Sequence, residues 1–246
     1  MEMNDRFLRA CHREPVDVTP VWFMRQAGRY MAEYRAIREK HSLLEICYQP
    51  ELAAEVTMQP VRSLGVDAAI LFADILLPVI PLGLGLEFAK GEGPIIGKPV
   101  RTLEDVNAMR PVRAETDLGY VMEAIRILRG ELNGTPLIGF CGAPFTVASY
   151  IIEGGSSREF LKTKTMMYSA PEVWHALMDK LVGVLTDYLV AQIRAGAQAV
   201  QIFDSWVGAL SPQDYESSVL PYSQKVLQAA RAENVPVIHF GTNTTT

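Results

Sequence analysis

Residues 171–205, PEVWHALMDKLVGVLTDYLVAQIRAGAQAVQIFDS, decide the architecture. Pro171 to Ala195 reads as one long helix opening on a first-turn proline, a position where the missing N–H costs nothing. The run Ala199 to Phe203 that follows is short, rich in Val, Ile and Phe, and apolar at nearly every position, the mark of a strand buried on both faces of a parallel sheet. It ends on Asp204 and Ser205. The same unit recurs in both directions. Downstream, Pro212 to Ala232 reads as a helix and Val235 to Phe240 as a strand. Upstream stand strands at Pro20 to Met24, Ala68 to Phe72 and Leu137 to Cys141, separated by helices at Pro50 to Leu64 and Asp117 to Leu132. Strand and helix alternate throughout, which predicts an α/β fold with a parallel sheet and places the chemistry on loops leaving the C-terminal ends of the strands.

A closed (β/α)₈ barrel has eight strands, about 250 residues, and roughly 30 residues per βα unit. Five countable strands in 246 residues leave the barrel about three units short. The expectation is a single incomplete (β/α)₈ TIM barrel domain over residues 1–246, truncated to about its first five strands; the abrupt Phe240–Thr246 end, directly after a strand, fits that expectation. Gly83 to Gly97 matches neither GxGxxG nor GxxxxGK[ST] and reads as a mobile surface excursion.

Composition bounds the partners. With 49% hydrophobic and 21% charged residues the chain has ample material for a core. A net charge of −5 argues against general nucleic-acid or anionic-membrane binding, so any anion site must be local. The three cysteines, Cys11, Cys47 and Cys141, have no CxxC or Cys/His spacing; neither a disulfide framework nor a metal site is indicated, and a reducing cytoplasm is expected. The charged N-terminal segment has no signal-peptide core and no later apolar run is long enough to span a bilayer, so neither export nor a membrane partner is expected.

Candidate residues collect at strand ends. Arg25 and Arg29 follow Pro20 to Met24, with the small Ala27 and Gly28 between them; paired guanidiniums suit a substrate with several carboxylates, although a surface turn would look the same. Asp74 follows the second strand, Tyr150 lies on the helix after the third, and Ser205 follows the fourth. Asp74 reads equally as a helix N-cap, and Tyr150 as a core tyrosine. Ser205 has no GxSxG elbow and no histidine stands in a triad pattern, so it suits carboxylate binding rather than nucleophilic attack. His239 could face the cavity. Glu153, Gly154 and Gly155 are expected to end the Tyr150 helix on a left-handed glycine.

Two stretches carry a family resemblance: Pro20-Val21-Trp22-Phe23-Met24-Arg25-Gln26-Ala27-Gly28-Arg29-Tyr30 and Gly139-Phe140-Cys141-Gly142-Ala143-Pro144-Phe145-Thr146-Val147-Ala148-Ser149-Tyr150. Leu71 to Leu76 and Gln201 to Trp206 add to it, with Ala73 where Ser is common. The chain resembles the uroporphyrinogen decarboxylases from about Asn4 onward. The resemblance implies a (β/α)₈ barrel, usually homodimeric and cytoplasmic, that removes the four acetate carboxyl groups of uroporphyrinogen III to give coproporphyrinogen III. It implies no cofactor and no metal. It further implies catalytic roles for Asp74, Arg25, Arg29 and Tyr150, and substrate contacts from Arg25, Gln26, Ala27, Gly28, Arg29, Asp74, Tyr150 and Ser205. The substrate carries carboxylates around a ring of inward pyrrole N–H groups, so rim cations and a central acceptor are the required complement. The family's histidine segment after its last strand has no match here.

Two other readings compete. A related zinc-dependent thiol methyltransferase would need a Cys/His cluster, which the dispersed cysteines do not supply. A partial barrel could instead be an inactive fragment, or bind tetrapyrroles without turnover until a C-terminal complement is supplied.

Overall fold

The computed structural model describes residues 5–89 and 93–244. Gly91 of the glycine-rich stretch, Asn4 and the terminal Thr245 and Thr246 lie outside the described residues. The elements in chain order are α1 (Arg6–Cys11), α2 (Ala32–Lys40), α3 (Leu43–Cys47), α4 (Pro50–Leu64), β1 (Ala69–Ile70), β2 (Leu86–Ala89), β3 (Gly93–Ile96), α5 (Leu103–Ala108), α6 (Ala114–Asp117), α7 (Gly119–Glu131), β4 (Leu137–Gly142), α8 (Pro144–Glu153), α9 (Leu161–Ser169), α10 (Pro171–Ala195), β5 (Ala199–Asp204), α11 (Pro212–Ser218), α12 (Leu220–Ala232) and β6 (Val237–Gly241). Short 3₁₀ turns stand at Leu77–Leu82 and Val207–Ala209.

β1, β4, β5 and β6 form one all-parallel sheet in that order, and helices cover its outer face. The register pairs Ile138 with Ala199, Gly142 with Phe203, and Phe203 with Phe240, so these side chains share the inner face. β4 and β5 are buried at every position, as their unbroken apolar runs require. α4 and α10 keep the predicted bounds, each with a proline in its first turn; α4 ends on Gly65 at φ +62°, and α8 on Gly154 at φ +89°, the left-handed cap expected there.

Three expectations are corrected. Pro20 to Met24 is not a strand. Arg6 bridges Asp17 and Asp67 at 2.6 Å each, and Asp67 exchanges bonds with Val21 through its N–H (2.8 Å) and carboxylate (2.7 Å). A carboxylate thus takes a bond that a neighbouring strand would make, the ladder goes no further, and Val21 and Phe23 stay about half exposed. The described parallel sheet therefore has four strands, not five. The predicted helix Pro212 to Ala232 is split at Val219, because Pro221 in the first turn of α12 has no N–H to continue α11. Gly83 to Gly97 is no loose excursion: β2 and β3 form an antiparallel hairpin that buries Leu84, Leu86 and Ile96 and docks on the end of α8 through Ile96 N–H to Gly154 carbonyl, 3.0 Å. Its glycines allow close crossing; a Cβ on Gly97 would stand 3.3 Å from the Gly85 carbonyl oxygen.

β1 stops after two residues; the segment's last described bond to β4 is Leu71 N–H to Ile138 carbonyl at 3.0 Å, while Phe72, alternating with Leu71, gives its N–H to the Thr57 hydroxyl at 2.9 Å. That leaves both backbone groups of Phe140 in β4 without a strand partner, and the fully buried Gln192 of α10 supplies one. Its Oε1 accepts from Phe140 N–H and its Nε2 donates to Phe140 carbonyl, both at 2.8 Å. The amide reaches across Gly139, where a Cβ would lie 2.7 Å from Oε1.

Candidate active site

Residues two apart on a strand face the same side, so the inner face continues past each strand end. Ile70 and Phe72 lead to Asp74, Gln201 and Phe203 to Ser205, and Ile238 and Phe240 to Thr242. Together with Arg25 and Tyr150 these extensions line a cavity of about 570 Å³ at the C-terminal end of the sheet, floored by Phe140, Phe203 and Phe240 and roofed in part by Phe88 and Pro94 of the hairpin. Phe203 meets Phe140 edge-to-face at 5.3 Å and Phe240 at 5.8 Å, giving an apolar floor that disfavours loose water. A smaller lobe of about 130 Å³ adjoins it, lined by Arg25, Gln26, Ala27 and Phe72 among others.

Asp74 Oδ1 accepts the Leu76 N–H at 2.8 Å, a local turn bond two residues on; the N-cap of the 3₁₀ turn that follows is Leu76, whose own side chain makes no cap bond, so Asp74 is not its N-cap, and no described residue donates to Oδ2. Burial pushes its carboxyl up from the ordinary carboxylate range, while the Leu76 N–H and the nearby Arg25 charge pull it back. Oδ2 is therefore left for an incoming group, and the acid is held where a donor or cation would be rewarded. Arg25 is exposed at the cavity mouth. Burial raises the Tyr150 phenol and the Asp74 charge adds to this, against Ser156 and Arg25; Tyr150 stays a donor at neutral pH. The Tyr150 ring lies 3.8 Å from that of Trp206 at 28° between planes.

The remaining expected residues fall around this centre in different ways. Ser205 lines the cavity, and its carbonyl accepts from the Thr242 hydroxyl at 2.6 Å. Gln26 is buried and structural in its bonding, accepting from Phe23 N–H at 3.2 Å and donating to Ala68 carbonyl at 3.4 Å. Ala27 lines only the smaller lobe, and Gly28 lies against the Tyr30 ring, 3.2 Å from where its Cβ would be. Arg29 is exposed outside both linings, within electrostatic reach of Tyr34. His239 faces the other way. It alternates with Phe240, so its ring lies on the outer side of β6, Nε2 3.5 Å from the buried Asp204 Oδ2, beside a separate cavity of about 340 Å³.

Sequence reasoning passed over the phenylalanine floor, Trp206 and Thr242. The period-2 rule counted back from Asp74 and Ser205 would have found Phe72 and Phe203 and, by register, Phe240 and Thr242. Nothing local marks Phe88 or Pro94.

Among the described residues no helix is long and apolar enough to cross a membrane, and no three His, Cys, Asp or Glu side chains gather as a metal site. A methyltransferase from Methanosarcina mazei superposes with a TM-score of 0.78 at 22% identity, over 98% of this chain and 70% of that one, a likeness of fold. The uroporphyrinogen decarboxylase of Sorangium cellulosum is 62% identical over 243 residues, 98% of this chain and 69% of the relative. That of Carboxydothermus hydrogenoformans is 62% identical over 242 residues, and that of Chloroflexus aurantiacus 57% over 245. The profile described as uroporphyrinogen decarboxylase matches residues 2–246. Identity of this order across nearly the whole chain, on the barrel-type fold seen here, means that the chain belongs to the uroporphyrinogen decarboxylase family.

Proposed function

We propose that this cavity binds uroporphyrinogen and that the chain supplies the barrel portion on which its acetate side chains are decarboxylated to methyl groups. The observation that carries the reading is the convergence of Arg25, Asp74, Tyr150 and Ser205 on one phenylalanine-floored cavity at the strand ends. The macrocycle's apolar faces suit the floor, and its inward N–H groups suit the free Asp74 oxygen. Arg25 at the mouth, with Arg29 beyond it, pairs with rim carboxylates, and the Ser205 and Tyr150 hydroxyls donate to others.

In the chemical step a proton adds to the pyrrole ring carbon next to the one bearing an acetate arm, leaving the ring cationic at the acetate-bearing carbon. The bond from the arm's methylene to its carboxylate then breaks, its electron pair flows into the ring, and carbon dioxide leaves. The exocyclic methylene takes up a proton to become methyl, and the ring proton is lost. Asp74 stabilises the cationic stage, a term stronger in the transition state than in the bound substrate. The substrate is its own electron sink, so no cofactor enters the scheme. Gln26, Ala27 and Gly28 shape the loop that presents Arg25.

The domain is proposed as a single barrel portion, homodimeric in the assembled enzyme; the three free cysteines support a reducing, cytoplasmic setting. The test mixes the chain, alone and with the C-terminal third of the Sorangium relative, with reduced uroporphyrinogen under argon, and reads binding, carbon dioxide and coproporphyrinogen. Binding by the chain and conversion by the mixture are expected. Absence of binding in both arms overturns the reading.

A further inference from the structure

Thr146 and Tyr150 stand one turn apart on α8 and grip the same residue of the β5 loop. The Thr146 hydroxyl accepts the Trp206 backbone N–H at 3.2 Å, and the Tyr150 ring stacks on the Trp206 ring, which Phe160 meets from another side at 5.0 Å. The Thr146 hydroxyl hydrogen is spent on Asp204 Oδ1 at 2.9 Å. Thr146 and Asp204 are fully buried, and among the described residues no hydrogen bond reaches Asp204 Oδ2, which lies 3.5 Å from His239 Nε2. A hydroxyl that donates to a carboxylate is a stronger acceptor on its other side, so the Asp204 charge tightens the bond to Trp206. Ser205, between Asp204 and Trp206, is pinned by the same pair of bonds.

We infer that Thr146, backed by Asp204, is a positioning residue: it fixes the Trp206 ring against Tyr150 and thereby sets the Tyr150 hydroxyl and Ser205 on the cavity wall. Thr146 has no place in the cavity lining and touches no substrate; it acts through Trp206. This rests on the reading of the cavity as a uroporphyrinogen site, and the substrate-facing consequence is specificity of placement rather than bond chemistry.

The experiment compares the wild-type chain with Thr146→Val, which removes the hydroxyl at constant shape, and Thr146→Ser, which restores it. Near-ultraviolet circular dichroism reads the Tyr150–Trp206 stack, with Trp206→Phe assigning the band, and fluorescence quenching reads affinity for uroporphyrinogen I held reduced. Thr146→Val is expected to lose the band and bind about tenfold more weakly, the scale of one hydrogen bond, with far-ultraviolet dichroism unchanged; Thr146→Ser is expected to recover both. A folded Thr146→Val with the wild-type band and affinity overturns the inference, as does a folded Thr146→Ser that recovers neither. Should Thr146→Val fail to fold, hydrogen exchange at the Trp206 amide of the wild type decides: protection supports the clamp and free exchange overturns it. A wild type that binds no uroporphyrinogen I overturns the reading of the cavity instead, while the dichroic band still tests the clamp.

Discussion

Replacing Gln192 with Leu removes a side chain that completes the sheet where β1 ends. In the native structure two 2.8 Å bonds satisfy the N–H and the carbonyl of Phe140, and Gln192 is fully buried, so no water can replace it. Each backbone group left unpaired in such a place costs about 1–3 kcal/mol, about 2–6 kcal/mol for the two. The similar size of Leu keeps the cavity small and its apolar burial offsets a part, leaving an expected loss of about 2–4 kcal/mol, a large share of the about 5–15 kcal/mol typical of a domain. Urea unfolding at constant slope measures the loss, and amide exchange at Phe140 locates it. Because Phe140 is part of the cavity floor, affinity for uroporphyrinogen I should fall with it. A loss below about 1 kcal/mol with Phe140 still protected would refute the claim that the amide stands in for a missing strand.

Arg25→Ala should weaken uroporphyrinogen binding by about 1.5–3 kcal/mol, the scale of a hydrogen bond to a charged group, whereas Arg29→Ala, outside the lining, should cost less; equal losses in titration would show that Arg29 swings in. Asp74→Asn should lower turnover more than affinity, and a raised Michaelis constant at unchanged turnover would make Asp74 a binding group only. The same variant has a signed pH effect: burial raises the folded carboxyl above its unfolded value of 3.8, so the native state holds the proton more tightly and ionisation disfavours the fold as pH climbs through the raised value. Asp74→Asn should therefore gain stability at neutral pH relative to wild type and lose that gain below pH 3.8, a crossover that thermal melts at several pH values would reveal. Gly142→Ala would put a Cβ 2.6 Å from Val147 Cγ2 and 3.3 Å from the Ile75 carbonyl oxygen, so it should destabilise by about 1–3 kcal/mol in denaturant melts; a neutral result would mean that the Asp74 loop gives way freely.

What was legible in the chain alone followed from local physics. α4 and α10 announced themselves because a first-turn proline and a closing glycine bracket an apolar stripe, and β4 and β5 because only a strand covered on both faces tolerates unbroken Val, Ile and Phe. Asp74 and Ser205 were placed on strand-end loops, and Tyr150 on the helix after a strand, by counting, and Arg25 by the charge pair. Pro20 to Met24 failed as a strand because pairing is decided by the neighbour, and there the neighbour is the Asp67 carboxylate. The hairpin at Leu86–Ala89 and Gly93–Ile96 was missed because glycine spacing signals freedom, while the docking of that freedom onto Gly154 is a contact between distant segments.

The amino-acid sequence by itself determined the α/β class, the side of the sheet that carries the chemistry and the family. Periodicity, capping and signature segments are properties of neighbours in the chain. Only the tertiary structure decided that Arg25 faces Asp74 while Arg29 stands outside, that His239 points away from the cavity, that Gln192 replaces a strand, and that Thr146 reaches Trp206. Each of these depends on which groups from remote segments meet at hydrogen-bond distance, and a single chain read in order carries no signal for that.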